Sequence, residues 1–150
     1  MVEMSSGSYI LGGETNNFNS EFLPTGGPPV GTPPGEEWQE GFAIPSPGFA
    51  KGCAVAINDK QFVLIGGYPD GLSAVANVKM YDMETETWTD WSDLNTAVYY
   101  QGCAKLGDTI VVGGGYVSSD QGDNNDFYFQ LIERGSPPLS MSDLCPSQQI

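Results

Sequence analysis

The chain has 150 residues, no histidine and a formal net charge of −14, from 5 basic and 19 acidic side chains. Such a surface repels phosphate backbones and anionic lipid, which argues against nucleic acid and membrane surfaces as partners. The lack of histidine removes the commonest general base and the usual copper ligand, and no apolar run approaches the ~20 residues of a membrane span.

In chain order, the predicted elements are short β-strands separated by turn-forming residues, with almost no helix. Residues 1–7 are predicted to be frayed, and a Pro/Gly-rich loop is predicted at 24–35. The chain is predicted to finish in an irregular tail, or the start of a further sheet, at 136–150. The predicted strands are 8–13, 52–58, 61–66, 75–82, 88–92, 102–106, 109–114 and 126–132.

One phrase occurs twice, fifty residues apart. Gly52-Cys53-Ala54 follows Trp38 at the same distance at which Gly102-Cys103-Ala104 follows Trp88. Each copy leads through a turn into an apolar run that ends in a glycine pair. The pairs are Gly66-Gly67 and Gly113-Gly114, and Gly12-Gly13 is a third such ending near the start. Self-similarity at a fixed period near fifty indicates a repeat architecture.

The best-preserved unit extends from about Gly52 to Leu94. It contains the glycine pair, then Tyr81-Asp82, then acidic and polar residues, then Trp88. In that order and spacing the chain resembles the kelch family of β-propellers over most of residues 8–135. The resemblance implies an all-β fold, a partial propeller of about three four-stranded antiparallel sheets, at approximately 8–51, 52–101 and 102–135.

The repeated residues are interpreted as scaffold, because repeated positions usually encode packing. These structural residues are Gly12, Gly13, Trp38, Gly66, Gly67, Tyr81, Trp88, Gly113 and Gly114. Cys53 and Cys103 are expected to be small buried thiols near the propeller centre. A disulfide needs Cα atoms within ~7 Å, and corresponding positions of neighbouring blades are expected to lie further apart.

Propellers close with typically 4–8 blades, whereas this length supplies about three. Three interpretations follow: a fragment of a longer product, two copies that close a six-bladed ring as a homodimer, or an open array of three sheets. The first residues, Met1-Val2-Glu3-Met4, lack the basic and apolar regions of a signal peptide. The compartment is therefore cytoplasmic if Met1 is the true start, and otherwise open.

With the four strands of a blade lettered a to d in chain order, the resemblance implies that function lies in two kinds of loop. These are the b–c loops within a blade and the d–a loops between blades, which emerge on one face of the blades. The predicted function is a non-catalytic protein-interaction module, with a fragment of a carbohydrate-active propeller enzyme as the alternative. No metal or cofactor is predicted, because the aspartates of loop 118–126 lack the alternate spacing of a calcium-binding loop. The protein-binding candidates are Tyr68, Asp70, Tyr99, Tyr100, Tyr116 and Asp120.

Overall fold

The chain folds into three four-stranded antiparallel sheets and one small hairpin. The structure is a computed structural model that describes residues 1–13, 18–33, 37–119, 122–124, 129–134 and 136–140. Over those residues the regular elements are all β-strands. The prediction of an all-β architecture with about three sheets is confirmed.

The first two sheets are simple meanders. Sheet 1 contains β1 (Val2–Met4), β2 (Gly7–Leu11), β3 (Asn19–Pro24) and β4 (Gln39–Ala43), hydrogen-bonded in that order. Sheet 2 contains β5 (Cys53–Ala56), β6 (Gln61–Ile65), β7 (Val78–Asp82) and β8 (Thr87–Asp90), again in order. Each strand therefore pairs with its neighbour along the chain, which is the commonest arrangement of consecutive strands.

The third sheet carries an inserted hairpin. Sheet 3 contains β9 (Gly102–Leu106), β10 (Thr109–Gly113), β13 (Phe129–Ile132) and β14 (Leu139–Ser140). Between β10 and β13 the chain forms a separate hairpin of β11 (Val117–Ser119) and β12 (Gly122–Asn124). Within the segment 136–150, Leu139–Ser140 is the fourth strand of this sheet. Cys145 lies outside the described residues.

The prediction of a frayed segment at residues 1–7 is wrong. Val2 and Met4 are buried and belong to the core, while β1 pairs with β2 through the register Val2 with Tyr9. The sequence gives little sign of this strand, because it has only three residues and is followed by polar Ser5 and Ser6. Its two apolar side chains nevertheless lie on one face.

The core consists of two layers, one between each pair of neighbouring sheets. Strand β6 shows why: Phe62 and Leu64 pack towards sheet 1, while Val63 and Ile65 pack towards sheet 3. All four are at most 4% exposed, so the strand is buried on both faces. The continuous apolar run that the sequence shows is the expected pattern for such a strand.

The structural repeat is not the fifty-residue repeat of the sequence. Lys51 and Tyr100, 49 residues apart, share the left-handed backbone conformation with φ of 55° and 56°. The glycines with positive φ after β6 are Gly66 and Gly67, whereas after β10 they are Gly114 and Gly115. The expected pair Gly113-Gly114 is therefore shifted by one residue, because Gly113 is still part of β10.

The second glycine of each pair lies against the segment that leads into the first strand of its own sheet. A Cβ on Gly67 would be 2.4 Å from the carbonyl oxygen of Ala50, and one on Gly115 would be 2.7 Å from that of Tyr99. The two backbones are also matched by hydrogen bonds, from the Tyr68 N–H to Ala50 and from the Tyr116 N–H to Tyr99. Only a residue without Cβ permits this approach.

The expectation that Cys53 and Cys103 lie too far apart to bond is wrong. They form a disulfide that joins β5 to β9, with the Cα atoms 6.0 Å apart. Cys53 is opposite Ile65 in its sheet, and the corresponding pair in sheet 3 is Gly102 opposite Gly113. Cys103 is therefore one residue beyond the true equivalent of Cys53. Since a shift of one residue turns a side chain to the other face of a strand, the two sulfurs face each other.

Candidate functional site

Two kinds of loop emerge at one end of the sheets, because antiparallel strands alternate in direction. One kind joins the second strand of a sheet to the third, and includes residues 66–77 between β6 and β7. The other joins one sheet to the next, at residues 44–52 and 91–101. Most of the sequence-predicted binding residues are on these segments.

Four of the predicted residues form one aromatic cluster, which we call the tyrosine face. Tyr99 is at its centre, 7% exposed, with its ring centroid 4.8 Å from Tyr68, 5.3 Å from Tyr100 and 5.7 Å from Tyr116. Tyr100 is 59% exposed and Tyr116 38% exposed. The cluster therefore has one packed ring that supports partly and largely exposed ones.

The backbone fixes this arrangement. Tyr99 and Tyr116 form an isolated antiparallel bridge, with N–H···O distances of 3.0 and 2.8 Å. The N–H of Tyr100 donates to the carbonyl oxygen of Lys51 at 2.6 Å, and Tyr100 has a left-handed φ of 56°. Adjacent tyrosines thus have different roles, packing for Tyr99 and exposure for Tyr100.

Lys51 is part of the same face, and the sequence interpretation missed it. Its Nζ is 5.4 Å from the ring centroid of Tyr68 and 5.7 Å from that of Tyr100, distances typical of a cation–π contact. Its φ of 55° corresponds to that of Tyr100, in the segment that leads into sheet 3. The signal available in the sequence was its place directly before the repeated Gly-Cys-Ala phrase.

Asp70 shapes the neighbouring loop. Its Oδ1 accepts hydrogen bonds from the N–H groups of Leu72 and Ser73, at 2.9 and 3.0 Å, and these bonds hold the pKa of the Asp70 carboxyl below its usual range. The turn presents Leu72, whose side chain is 82% exposed. Leu72 was also missed, because a single leucine in a glycine-rich loop has no periodic signal.

The sixth candidate, Asp120, lies outside the described residues, and so do the side chains of loop 118–126. Among the residues that the structure describes, no group of three or more acidic or cysteine side chains could hold a metal ion. Within the same residues no helix is long and apolar enough to cross a membrane.

Comparison with known proteins points to one group. The chain is 28% identical over 105 residues to Kelch-like protein 23 from Homo sapiens, Pongo abelii and Mus musculus. The matched part is 69% of this chain. The resemblance to kelch-repeat proteins is confirmed. The chain spans about a fifth, 19%, of the length of these relatives, and no family model matches it.

The kelch signature has a clear structural basis in sheet 2. Tyr81 and Trp88 are cross-strand partners, and the Asp82 carboxylate accepts a hydrogen bond from the Gln61 side chain. In sheet 3 the corresponding strand pairing puts Ile132 and Glu133 at these positions, and the Thr109 hydroxyl donates a hydrogen bond to the Glu133 carboxylate at 3.3 Å. The tyrosine and aspartate of the signature are therefore replaced there, while the polar contact is kept.

In sheet 1 the same strand pairing gives Trp38 the position that Trp88 has in sheet 2. Phe22 pairs with Gln39, and continuing that register by one residue puts Trp38 opposite Leu23, as Trp88 is opposite Tyr81. Leu23 and Pro24 thus occupy the Tyr-Asp positions that the sequence of this unit lacks. Trp88 itself donates from its indole nitrogen to the carbonyl oxygen of Ala43 at 3.0 Å and so ties sheet 2 to sheet 1.

Proposed function

We propose that this chain is a non-catalytic protein-interaction module that binds its partner through the tyrosine face. The observation that carries the proposal is a set of exposed rings, Tyr100 and Tyr116, supported by a buried one, Tyr99. Tyrosines bring a large contact area with few rotatable bonds, and they are enriched where binding energy is concentrated. A rigid platform lowers the entropy lost on binding.

The neighbouring residues suit the same role. Exposed Leu72 adds apolar area, and the hydrogen bonds to Asp70 order the loop that presents it. Lys51 is one of five basic residues in a chain with nineteen acidic ones, and it lies between two of the rings. A partner with tyrosine-accepting pockets and an acidic group near Lys51 fits this surface.

The test compares variants at two exposed sites in a quantitative capture experiment. Tyr100→Ser with Tyr116→Ser removes the exposed rings, while Leu106→Ser, at a side chain that is 72% exposed on the opposite end of sheet 3, is the control. We expect a defined set of proteins to be captured by the wild type and the control and lost with the double variant. Capture that is equal for all three would refute the proposed face.

A misfolded or damaged variant must be distinguished from a loss of contact. Thermal unfolding of the purified double variant should stay within a few degrees of the wild type, because surface substitutions usually change stability by about 0.5 kcal/mol or less. The closing of a six-bladed ring by two copies stays a prediction, and light scattering on the same samples separates the dimer from the monomer.

A further inference from the structure

A cleft lined by aromatic residues lies between sheets 1 and 2, and the proposed function does not involve it. It has a volume of ≈ 350 Å³ and is lined by Tyr9, Phe22, Phe42 and Tyr81 on its apolar side. Met83 and Glu86, from the β7–β8 turn, also line it, so it opens at the end of the sheets opposite the tyrosine face.

The four rings form one continuous wall. Tyr9 stacks on Phe22 with centroids 4.6 Å apart, and Phe42 stacks on Tyr81 at 4.1 Å. The two pairs are joined by Tyr9 and Phe42, 5.5 Å apart. Tyr9 and Tyr81 are buried, whereas Phe22 and Phe42 are only partly buried, so part of the ring surface faces the cleft.

A bulge in β4 turns the ring of Phe42 towards the cleft. Between the pairs Asn19–Ala43 and Glu21–Glu40, β3 advances by two residues and β4 by three. The extra residue in β4 breaks the alternation of side chains, and bulges are known to redirect side chains in this way. As a result Phe42 lies on the face of sheet 1 that lines the cleft, whereas Glu40 is opposite Glu21, on the other face from Tyr9 and Phe22.

A carboxylate comes from the facing sheet. Glu86 has φ of 55°, a backbone conformation that glycine adopts more readily than glutamate, and it lines the cleft across from sheet 1. Burial raises the pKa of Tyr81, and the charge of Glu86 raises it further, which agrees with a carboxylate close to that ring. The carboxylate of Glu86 therefore gives this wall of the cleft a negative charge.

We propose that this cleft binds an organic cation that carries a quaternary ammonium group. Ring faces carry partial negative charge and attract cations, and recognition of quaternary ammonium by several rings is an established use of that attraction. The carboxylate of Glu86 adds Coulombic attraction. A primary ammonium is less suited, because its three N–H donors are strongly hydrated and rings do not replace those hydrogen bonds.

The experiment uses choline as the probe and 3,3-dimethyl-1-butanol as its neutral counterpart of the same shape. Both are titrated into the full ¹⁵N-labelled chain, and amide shifts are followed by NMR. We expect choline to shift the amides of Gly41, Phe42 and Met83, and the alcohol to bind roughly fivefold or more weakly, the change that one cation–π contact gives. Equal binding of the two probes would overturn the proposal, and so would the absence of shifts at the cleft.

Two charge variants make the test specific. Glu86→Gln should weaken choline binding several-fold and leave binding of the alcohol unchanged. Glu84→Gln is the matched control, since Glu84 is in the same turn but bonds to Lys60 outside the cleft. Equal weakening by both variants would show a general effect of net charge and refute the site.

A last comparison separates the two sources of such a group. A short neutral peptide with one trimethyllysine and the same peptide with unmodified lysine are titrated in parallel. Tighter binding of the trimethylated peptide than of choline assigns the cleft to a modified partner protein, and the reverse order assigns it to a small free cation. Tighter binding of the unmodified lysine peptide would contradict the quaternary ammonium assignment.

Discussion

The Cys53–Cys103 disulfide should stabilise the fold substantially, and its removal is the most informative perturbation. The bond closes a loop with a sequence separation of 50. In the chain-entropy description a loop of that length contributes about 4 kcal/mol. In urea, with a slope near 2 kcal/mol per molar, this corresponds to a fall of about 2 M in the unfolding midpoint.

The assay is equilibrium unfolding in urea, in a Cys145→Ser background so that only this pair can bond. The oxidised parent is compared with Cys53→Ala/Cys103→Ala and with the parent under reductant, and non-reducing peptide mapping establishes the bond. The stabilisation would be refuted if reduction of a mapped bond left the midpoint unchanged.

A shifted cysteine tests the register that explains the bond. A Cβ added at Gly102 would have open space around it, with its nearest contact 3.9 Å away at the Gly113 carbonyl oxygen, so a cysteine fits there. In Gly102→Cys/Cys103→Ala the cysteine occupies the position equivalent to Cys53 and should point to the other face of β9. We expect no bond in this variant. A bond of normal yield would show that the register is wrong.

Three further predictions concern the glycine pair, the acidic turn and the inter-sheet tryptophan. Gly115→Ala should destabilise the fold by more than about 2 kcal/mol, because its Cβ would meet the Tyr99 carbonyl oxygen. Gly114→Ala, whose Cβ would have nothing within 4 Å, should cost only about 1 kcal/mol for its positive φ. Urea unfolding measures both losses, and equal effects would refute the close approach at Gly115. The Gln61 side chain, followed by backbone N–H groups, lowers the pKa of Asp82 in the folded state. The stabilisation from Asp82 is therefore complete above its unfolded pKa and is lost as the pH falls through the folded one, so the urea midpoint of Asp82→Asn should fall less below about pH 4 than that of the wild type. Trp88→Phe should lower stability by about 1–2 kcal/mol, because it removes the indole hydrogen bond to β4 and part of the ring contact between sheets 1 and 2, and thermal unfolding measures this loss.

Much of the scaffold could be predicted from local patterns. The run Phe62–Ile65 marked a strand buried on both faces, and the Tyr81 to Trp88 spacing marked two paired strands. Strands β1, β3 and β4 of sheet 1 were not predicted, because β1 has only three residues and β3 and β4 have no sustained alternation of buried and exposed side chains. Short strands depend on their neighbours in the sheet, and this dependence has no local sequence signal.

The candidate site was predicted in part. That Tyr68, Tyr99, Tyr100 and Tyr116 lie together followed from the loop topology of the repeat. The separate roles of Tyr99 and Tyr100 could not be predicted, because they depend on the bridge to Tyr116 and on a left-handed residue. The aromatic cleft was not predicted either, since its walls come from strands of two different sheets.

The sequence by itself determined the number and kind of sheets, because apolar runs separated by turn residues and the kelch-like signature are local features that can be read without the fold. The tertiary structure decided which repeated residues are equivalent. The phrase Gly-Cys-Ala recurs after fifty residues, but the backbone recurs after 49 at Lys51 and Tyr100 and after 48 at the glycine pairs. A strand has a side-chain period of two, so a shift of one residue reverses the face of a cysteine, and only the pairing of the strands reveals that shift.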